Sequence, residues 1–278
     1  MYMEDKLFSF TLNAADSMLK TPILYKYLGI SGGIMSLQNT NLMFRRPDKF
    51  NDPFDCSIEL LNIDAETTRS HMSKAFTRIL GNDYRERFRL ANQLSRANDD
   101  QVIRMARVGL ESELHHRGVC CFSKTNDNIL MWAHYCKNYN GICIGYHTVN
   151  LYEFLRSKIQ ESAFLPVEYA DEIQKKNLYE TNSDAILHWL KAKANDWQYE
   201  KEIRITGSGF SFDTEGCSFI DIPKNLIAEI YIGKNVSSKN IQDICDFAAN
   251  SSSDIKIFKM EPNFTSFCLK AVEFQPNL

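Results

Sequence analysis

Between residues 65 and 117 the apolar positions recur at helical spacing. Met72, Phe76 and Ile79-Leu80 fall on one side of a first helix; Tyr84, Phe88, Leu90-Ala91 and Leu94 suit a second; Val102-Ile103, Ala106 and Leu110 suit a third. Asn82-Asp83 and Asn98-Asp99-Asp100 separate them with turn and cap chemistry. Elsewhere short apolar runs predict strands at 25–28, 40–44, 119–123, 141–146, 165–169, 202–206, 219–222, 227–232, 255–260 and 267–272. Ser31-Gly32-Gly33 reads as a turn. Further helices are expected at 129–139, capped from Asn126-Asp127-Asn128, and at 151–159, 183–194 and 240–249. Strands and helices mix without a regular β-α-β alternation, which predicts an α+β class. The expected organisation is a single domain over 1–278 with a helical insertion at about 65–117.

Composition adds little to that picture and removes some functions. The apolar share of 44% and charged share of 24% are those of a chain with a core. A formal net charge of -3 argues against a dominant phosphate-binding surface, and the arginines of the helical region are interleaved with acids as on a solvated face. No apolar run is long enough to span a bilayer, and Met1-Tyr2-Met3-Glu4-Asp5-Lys6 has no signal-peptide character, so no membrane partner and a cytoplasmic location are expected. The eight cysteines form no Cys-x-x-Cys pair and read as reduced core residues, with no metal site.

Three stretches pack polar groups between aromatics: Asn51-Asp52-Pro53-Phe54-Asp55-Cys56; Cys121-Phe122-Ser123 leading to Met131-Trp132-Ala133-His134-Tyr135; and Trp197 through Arg204. In an extended strand Glu200, Glu202 and Arg204 share one face. Two carboxylates there repel each other, which a strand built for stability has little reason to accept. Such a pair suits the stabilisation of positive charge developing on a sugar carbon, though a charged edge strand explains the same pattern. Asn51 through Asp55 is a turn by local chemistry, and its acids with Glu59 lack calcium-loop spacing. Ser123 ends a strand where ligands are often held, without a Gly-x-Ser-x-Gly elbow. Trp132 and Tyr135, three apart, form either core or a stacking platform for a flat ring. Lys26 points away from the tyrosines on either side of it and is either a surface lysine or a phosphate or ribose contact. Neither the dinucleotide-binding nor the Walker glycine pattern occurs.

In their order, Leu24-Tyr25-Lys26-Tyr27, Phe50 through Asp55, Cys121-Phe122-Ser123, Met131 through Tyr135, Gly141-Ile142-Cys143-Ile144 and Trp197 through Ile205 resemble a bacterial family of unknown function. The chain is also distantly similar to ADP-ribosyltransferases. Those carry a basic or His residue on an early strand, a Ser or Tyr motif on a middle strand and a late catalytic Glu. That similarity implies a mixed, largely antiparallel split sheet and NAD as substrate. It makes Lys26 and Tyr27 contacts to the nucleotide and Ser123 a holder of the nicotinamide ribose. Glu202 becomes the stabiliser of the oxocarbenium and Glu200 the residue that positions the acceptor; beside them Trp132 and Tyr135 are expected as the cofactor's stacking aromatics. It implies a nucleotide ligand, an acceptor of undefined class (protein, nucleic acid or water), and a toxin or phage-defence role. Lys26 stands where that family has Arg or His, and Ser123 lacks the usual Thr-Ser after it. A metal-dependent nuclease using Asp52, Asp55, Glu200, Lys201 and Glu202 is the rival enzyme reading; a non-catalytic nucleotide-binding module is the other alternative.

Overall fold

The computed structural model describes residues 20–179, 182–251 and 254–274. Its strands are β1 (Ile23–Gly29), β2 (Asn41–Arg45), β3 (Leu61–Asn62), β4 (Gly118–Ser123), β5 (Gly141–His147), β6 (Gln160–Pro166) and β7 (Glu168–Ala170). They continue with β8 (Lys176–Asn177), β9 (Ala192–Ala194), β10 (Glu202–Ser208), β11 (Cys217–Asp221), β12 (Ile227–Ile232), β13 (Lys256–Asn263) and β14 (Cys268–Glu273). One mixed sheet runs in the order β11-β2-β4-β1-β5-β12-β13-β14, and β10 joins it by pairing with β4 on one side and β6 on the other. Every pairing in this sheet is antiparallel except β12 with β13, which the helix Ser238–Ala249 connects. The fold is therefore α+β.

β1 and β4 meet at a single register pair, Tyr25 opposite Ser123. Along the rest of its length β1 is zipped to β5 and β4 to β10. The sheet thus parts into two halves that touch beside Ser123.

Side-chain alternation sends the two faces to different cores. On one face Leu24, Phe122, Ile144, Tyr146, Ile203, Ile205 and Ile230 form the largest apolar cluster, with Leu37, Leu151, Leu155 and Ile244 from three helices packed onto it. The other face carries two smaller clusters. Tyr27, Trp132, Cys143, Tyr231 and Met260 make one; Leu60, Ala106, Leu110, Leu165, Trp189 and Leu190 make the other.

The helical region matches its pattern. Helices Ala65–Leu80, Tyr84–Arg96 and Asp99–Leu114 start at Asp64, Asp83 and Asn98, each of which accepts a backbone N–H of the first turn. Asn98 and Gln101 make a full capping box. Three expectations fail. Ser31-Gly32-Gly33 is not a turn but part of the helix Ile30–Asn39. A Cβ on Gly33 would lie 2.5 Å from Cγ1 of Ile142, so the glycine is there for close packing rather than for bending. The helix expected over 129–139 stops at His134, because Lys137, Asn138 and Tyr139 all take positive φ. The strand expected over 165–169 is two, β6 and β7, with the break after Pro166.

A buried ion cluster as candidate functional site

The strand reading of Glu200, Glu202 and Arg204 is only half right. Residues Asn195–Glu200 form a 3-10 turn, and Lys201 takes a left-handed conformation with φ 46° before β10 begins at Glu202. Glu202 and Arg204 do share a face of β10. Glu200 joins them through the turn, not through strand alternation. Both glutamates are buried, at 3% and 4% exposure, and Arg204 is fully so.

The position of Lys193 explains how the acids are tolerated. β7 and β9 pair in parallel and set Tyr169 beside Lys193, so the chain leaving the helix Asn182–Lys191 delivers Lys193 under the turn. Its Nζ lies 2.5 Å from Oε2 of Glu200, 2.8 Å from Oε2 of Glu202 and 3.5 Å from Oδ2 of Asp55. Arg204 donates through Nε to Oε1 of Glu202 at 2.8 Å and through Nη2 to Oδ2 of Asp55 at 2.7 Å. Its Nη1 donates to the Leu190 carbonyl and to Sγ of Cys56. Tyr135 donates its hydroxyl to Oε1 of Glu200 at 2.5 Å, and the Tyr169 hydroxyl accepts the Glu202 N–H at 2.8 Å. Three carboxylates thus face two cations at the seam between the two smaller apolar clusters.

The two glutamates titrate in opposite directions. Burial pushes the Glu202 carboxyl up, but Arg204 and Lys193 outweigh it and hold the group well below the usual carboxylate range. For Glu200 burial wins over Lys193 and the Tyr135 hydrogen bond, and the carboxyl sits above its usual value. Burial pulls the Lys193 ammonium down, yet Glu202, Glu200 and Asp55 together keep it well above the ordinary lysine value. Burial raises the Tyr135 phenol, helped by the Glu200 charge, and brings Tyr169 up to about 12.

The remaining candidates divide by face. Glu202 stands opposite Ser123 across β10 and β4, and Ser123 opposite Tyr25 across β4 and β1, so these three form one row on one face. Ser123 is not open at a sheet mouth. It is buried, donates to the Glu200 carbonyl at 2.7 Å and accepts the Thr125 N–H. Tyr27 donates to the Thr125 carbonyl at 2.9 Å and meets Trp132 edge-on; Trp132 donates to the Asn126 carbonyl and is fully buried. Neither ring is a free stacking platform. Lys26 is the clearest departure. It faces the opposite side of the sheet, with Nζ on the Cys121 carbonyl at 3.1 Å and over the Phe122 ring, and does not meet Glu202. The early-strand residue in the row is Tyr25.

Lys193 was hidden from sequence reasoning inside an expected helix over 183–194. The available signal was charge balance: two glutamates held among Trp197, Tyr199 and Tyr135 need more than Arg204 to neutralise them. The Asn51 through Asp55 turn forms as its chemistry predicts, with the Phe54 N–H on Oδ1 of Asp52, and it hands Asp55 to Arg204. Glu59 instead pairs with Arg107 on the surface.

Among the described residues no group of His, Cys, Asp and Glu has metal-holding geometry, and no helix is long and apolar enough to cross a membrane. Residues 131–205 match the model of a family described as a protein of unknown function (DUF2971). That stretch takes in Tyr135, Lys193, Glu200, Glu202 and Arg204 and supports an uncharacterised domain family; Asp55 and Ser123 lie outside it. No curated protein and no solved structure matches the chain.

Proposed function

We propose that the chain is an ADP-ribosyltransferase-like enzyme that consumes NAD, with Glu202 as the group that stabilises the developing ribosyl cation. The observation that carries this reading is the row Tyr25, Ser123, Glu202 on three neighbouring strands, located where the two halves of the sheet part. A hydroxyl and a carboxylate side by side where the strands part suit a ribose. The electrostatics support it. Departure of nicotinamide leaves an oxocarbenium-like centre, which needs an anion held ionised, and Glu202 is so held by Arg204 and Lys193. Glu200, pushed the other way, is the partner able to carry a proton for an acceptor. The Glu200 carbonyl of the Asn195–Glu200 turn accepts the Ser123 hydroxyl, so substrate reaches Ser123 and Glu202 on displacement of that turn. Turnover of this kind would serve a toxin or phage-defence effector by depleting NAD.

A second reading, a nucleotide-binding module without turnover, draws on the fact that every carboxylate oxygen of Glu200 and Glu202 already has a partner. A nuclease reading has less support: the ammonium and guanidinium groups occupy oxygens of Asp55, Glu200 and Glu202 that two-metal chemistry would use.

The purified chain incubated with NAD is expected to release nicotinamide, measured by chromatography. Glu202→Gln is expected to abolish the release with the circular dichroism spectrum kept, and Glu200→Gln to reduce it. Calorimetric binding of NAD without nicotinamide release would establish the second reading, and absence of both binding and release would remove the two together.

A further inference from the structure

The Asn51 through Asp55 turn does more than supply Asp55 to Arg204. Phe50, Asp52, Asp55 and Trp189 line a cavity of about 340 Å³, within the range of roughly 300–1,000 Å³ typical of small-molecule sites. Asp52 uses Oδ1 to accept the Phe54 N–H, and Asp55 uses Oδ2 for Arg204. The other oxygen of each, and the indole N–H of Trp189, are buried without a hydrogen-bond partner. These residues are 7%, 7% and 1% exposed, so the unmet groups are internal, where an unsatisfied carboxylate oxygen is costly. Three of the four buried polar atoms left unpartnered among the described residues belong to the lining of this one cavity. The next residue, Cys56, holds φ at 51°, a conformation that a non-glycine residue adopts under constraint.

The chemistry of the lining selects the ligand. Glu111 adds another acid to Asp52 and Asp55, and His115 is the one basic side chain there. An anion is repelled. A group with several N–H donors satisfies two carboxylate oxygens at once, as charge-assisted hydrogen bonds. Phe50 offers flat apolar surface to the rest of the molecule, and an acceptor on it meets the Trp189 N–H. We propose that this cavity is a binding site for a small organic cation, an amidinium, guanidinium or ammonium group carried on a flat apolar body. The site does not depend on NAD chemistry. It adjoins the ion cluster through Asp55, which gives Oδ2 to Arg204, through Cys56, whose Sγ accepts from Arg204 Nη1, and through Phe50, whose ring lies beside the guanidinium.

The probe is 4-hydroxybenzamidine, with 4-hydroxybenzoate as its anionic counterpart, titrated by calorimetry into the full chain. The expected result is binding of the amidine at millimolar concentration or below, with a raised unfolding temperature, and no binding of the benzoate. Asp52→Asn keeps the Oδ1 that accepts the Phe54 N–H and is expected to weaken the amidine by roughly tenfold or more. Should that variant not fold, Asp52→Ser retains a turn-forming oxygen and takes its place. Absence of amidine binding, equal binding of the benzoate, or an unchanged affinity in the Asp52 variant overturns the proposal. None of these outcomes bears on nicotinamide release, so the two readings fail separately.

Discussion

Arg204 and Asp55 lie 149 residues apart in the chain and meet at 2.7 Å, Nη2 to Oδ2, where neither is more than slightly exposed. The contact joins the two polar motifs that stand out most in the sequence, the Asn-Asp-Pro-Phe-Asp turn and the Glu-Lys-Glu-Ile-Arg run, into one structure. A guanidinium on β10 without Asp55 would have only Glu202 as its anion, and Asp55 without Arg204 would be a buried charge facing Lys193 at 3.5 Å.

Removal of either partner is therefore expected to destabilise strongly. Asp55→Asn and Arg204→Met should each cost about 3–5 kcal/mol, because each leaves a buried charge short of its nearest partner. The double variant should cost less than the sum, by about 1–3 kcal/mol, since the two residues share one network. Urea unfolding of the four proteins measures this; additive losses would show that the pair is not coupled.

The core was legible because apolar periodicity reports burial directly. Ile203 and Ile205 alternate with Glu202 and Arg204, and the structure places them in the largest apolar cluster as that alternation demands. The ion cluster was legible in part. Its acids and Arg204 were visible as an unusual local pattern, but Lys193 and Asp55 reach it through the tertiary path of β9 and the 51–55 turn, which no local spacing encodes. The same holds for Lys26. Strand alternation does send it away from Tyr25 and Tyr27, and since Tyr25 pairs with Ser123, it also sends it away from Ser123 and Glu202. That step requires the register, which the sequence alone does not contain.

Glycine pairs are read locally as turns, and here the tertiary contact decides otherwise. Gly32→Ala meets nothing within 4 Å and removes a helix-interior glycine, so it should stabilise by about 0.5–1 kcal/mol. Gly33→Ala places a methyl 2.5 Å from Cγ1 and 2.7 Å from Cδ1 of the fully buried Ile142 and should destabilise by about 1–3 kcal/mol. Thermal unfolding of the two variants reads opposite signs; equal shifts would mean that Ile142 yields freely.

Of Tyr27, Trp132 and Tyr135, Tyr135 is the one whose polar end touches a glutamate side chain. Tyr135→Phe removes the donor on Oε1 of Glu200 and should cost about 1–3 kcal/mol, the range for an unmet buried acceptor. That hydrogen bond also pulls the Glu200 carboxyl down, so its titration should move still higher in the variant. Carbon-13 NMR of labelled glutamate follows this directly. A midpoint that stays in place or falls would mean that Tyr135 does not act on the carboxyl.

Acid should test the cluster most sharply, because its two glutamates act with opposite sign. Glu202 has a folded pKa below its unfolded one. Its contribution is complete above the ordinary carboxylate range and is lost as pH falls through that range toward the folded value. Glu200 is raised in the fold. It favours the folded state while protonated, and that advantage disappears as pH rises from the ordinary range through the folded value. Stability measured from pH 7 down to pH 3 should therefore fall less steeply in Glu202→Gln than in the parent chain, and more steeply in Glu200→Gln, even though Glu202→Gln starts lower for want of the Arg204 pair. The slope difference is a count of protons taken up and is independent of the starting stability. If both variants changed the slope in the same direction, the opposed titration of the two carboxylates, and with it their division into a fixed anion and a proton carrier, would be wrong.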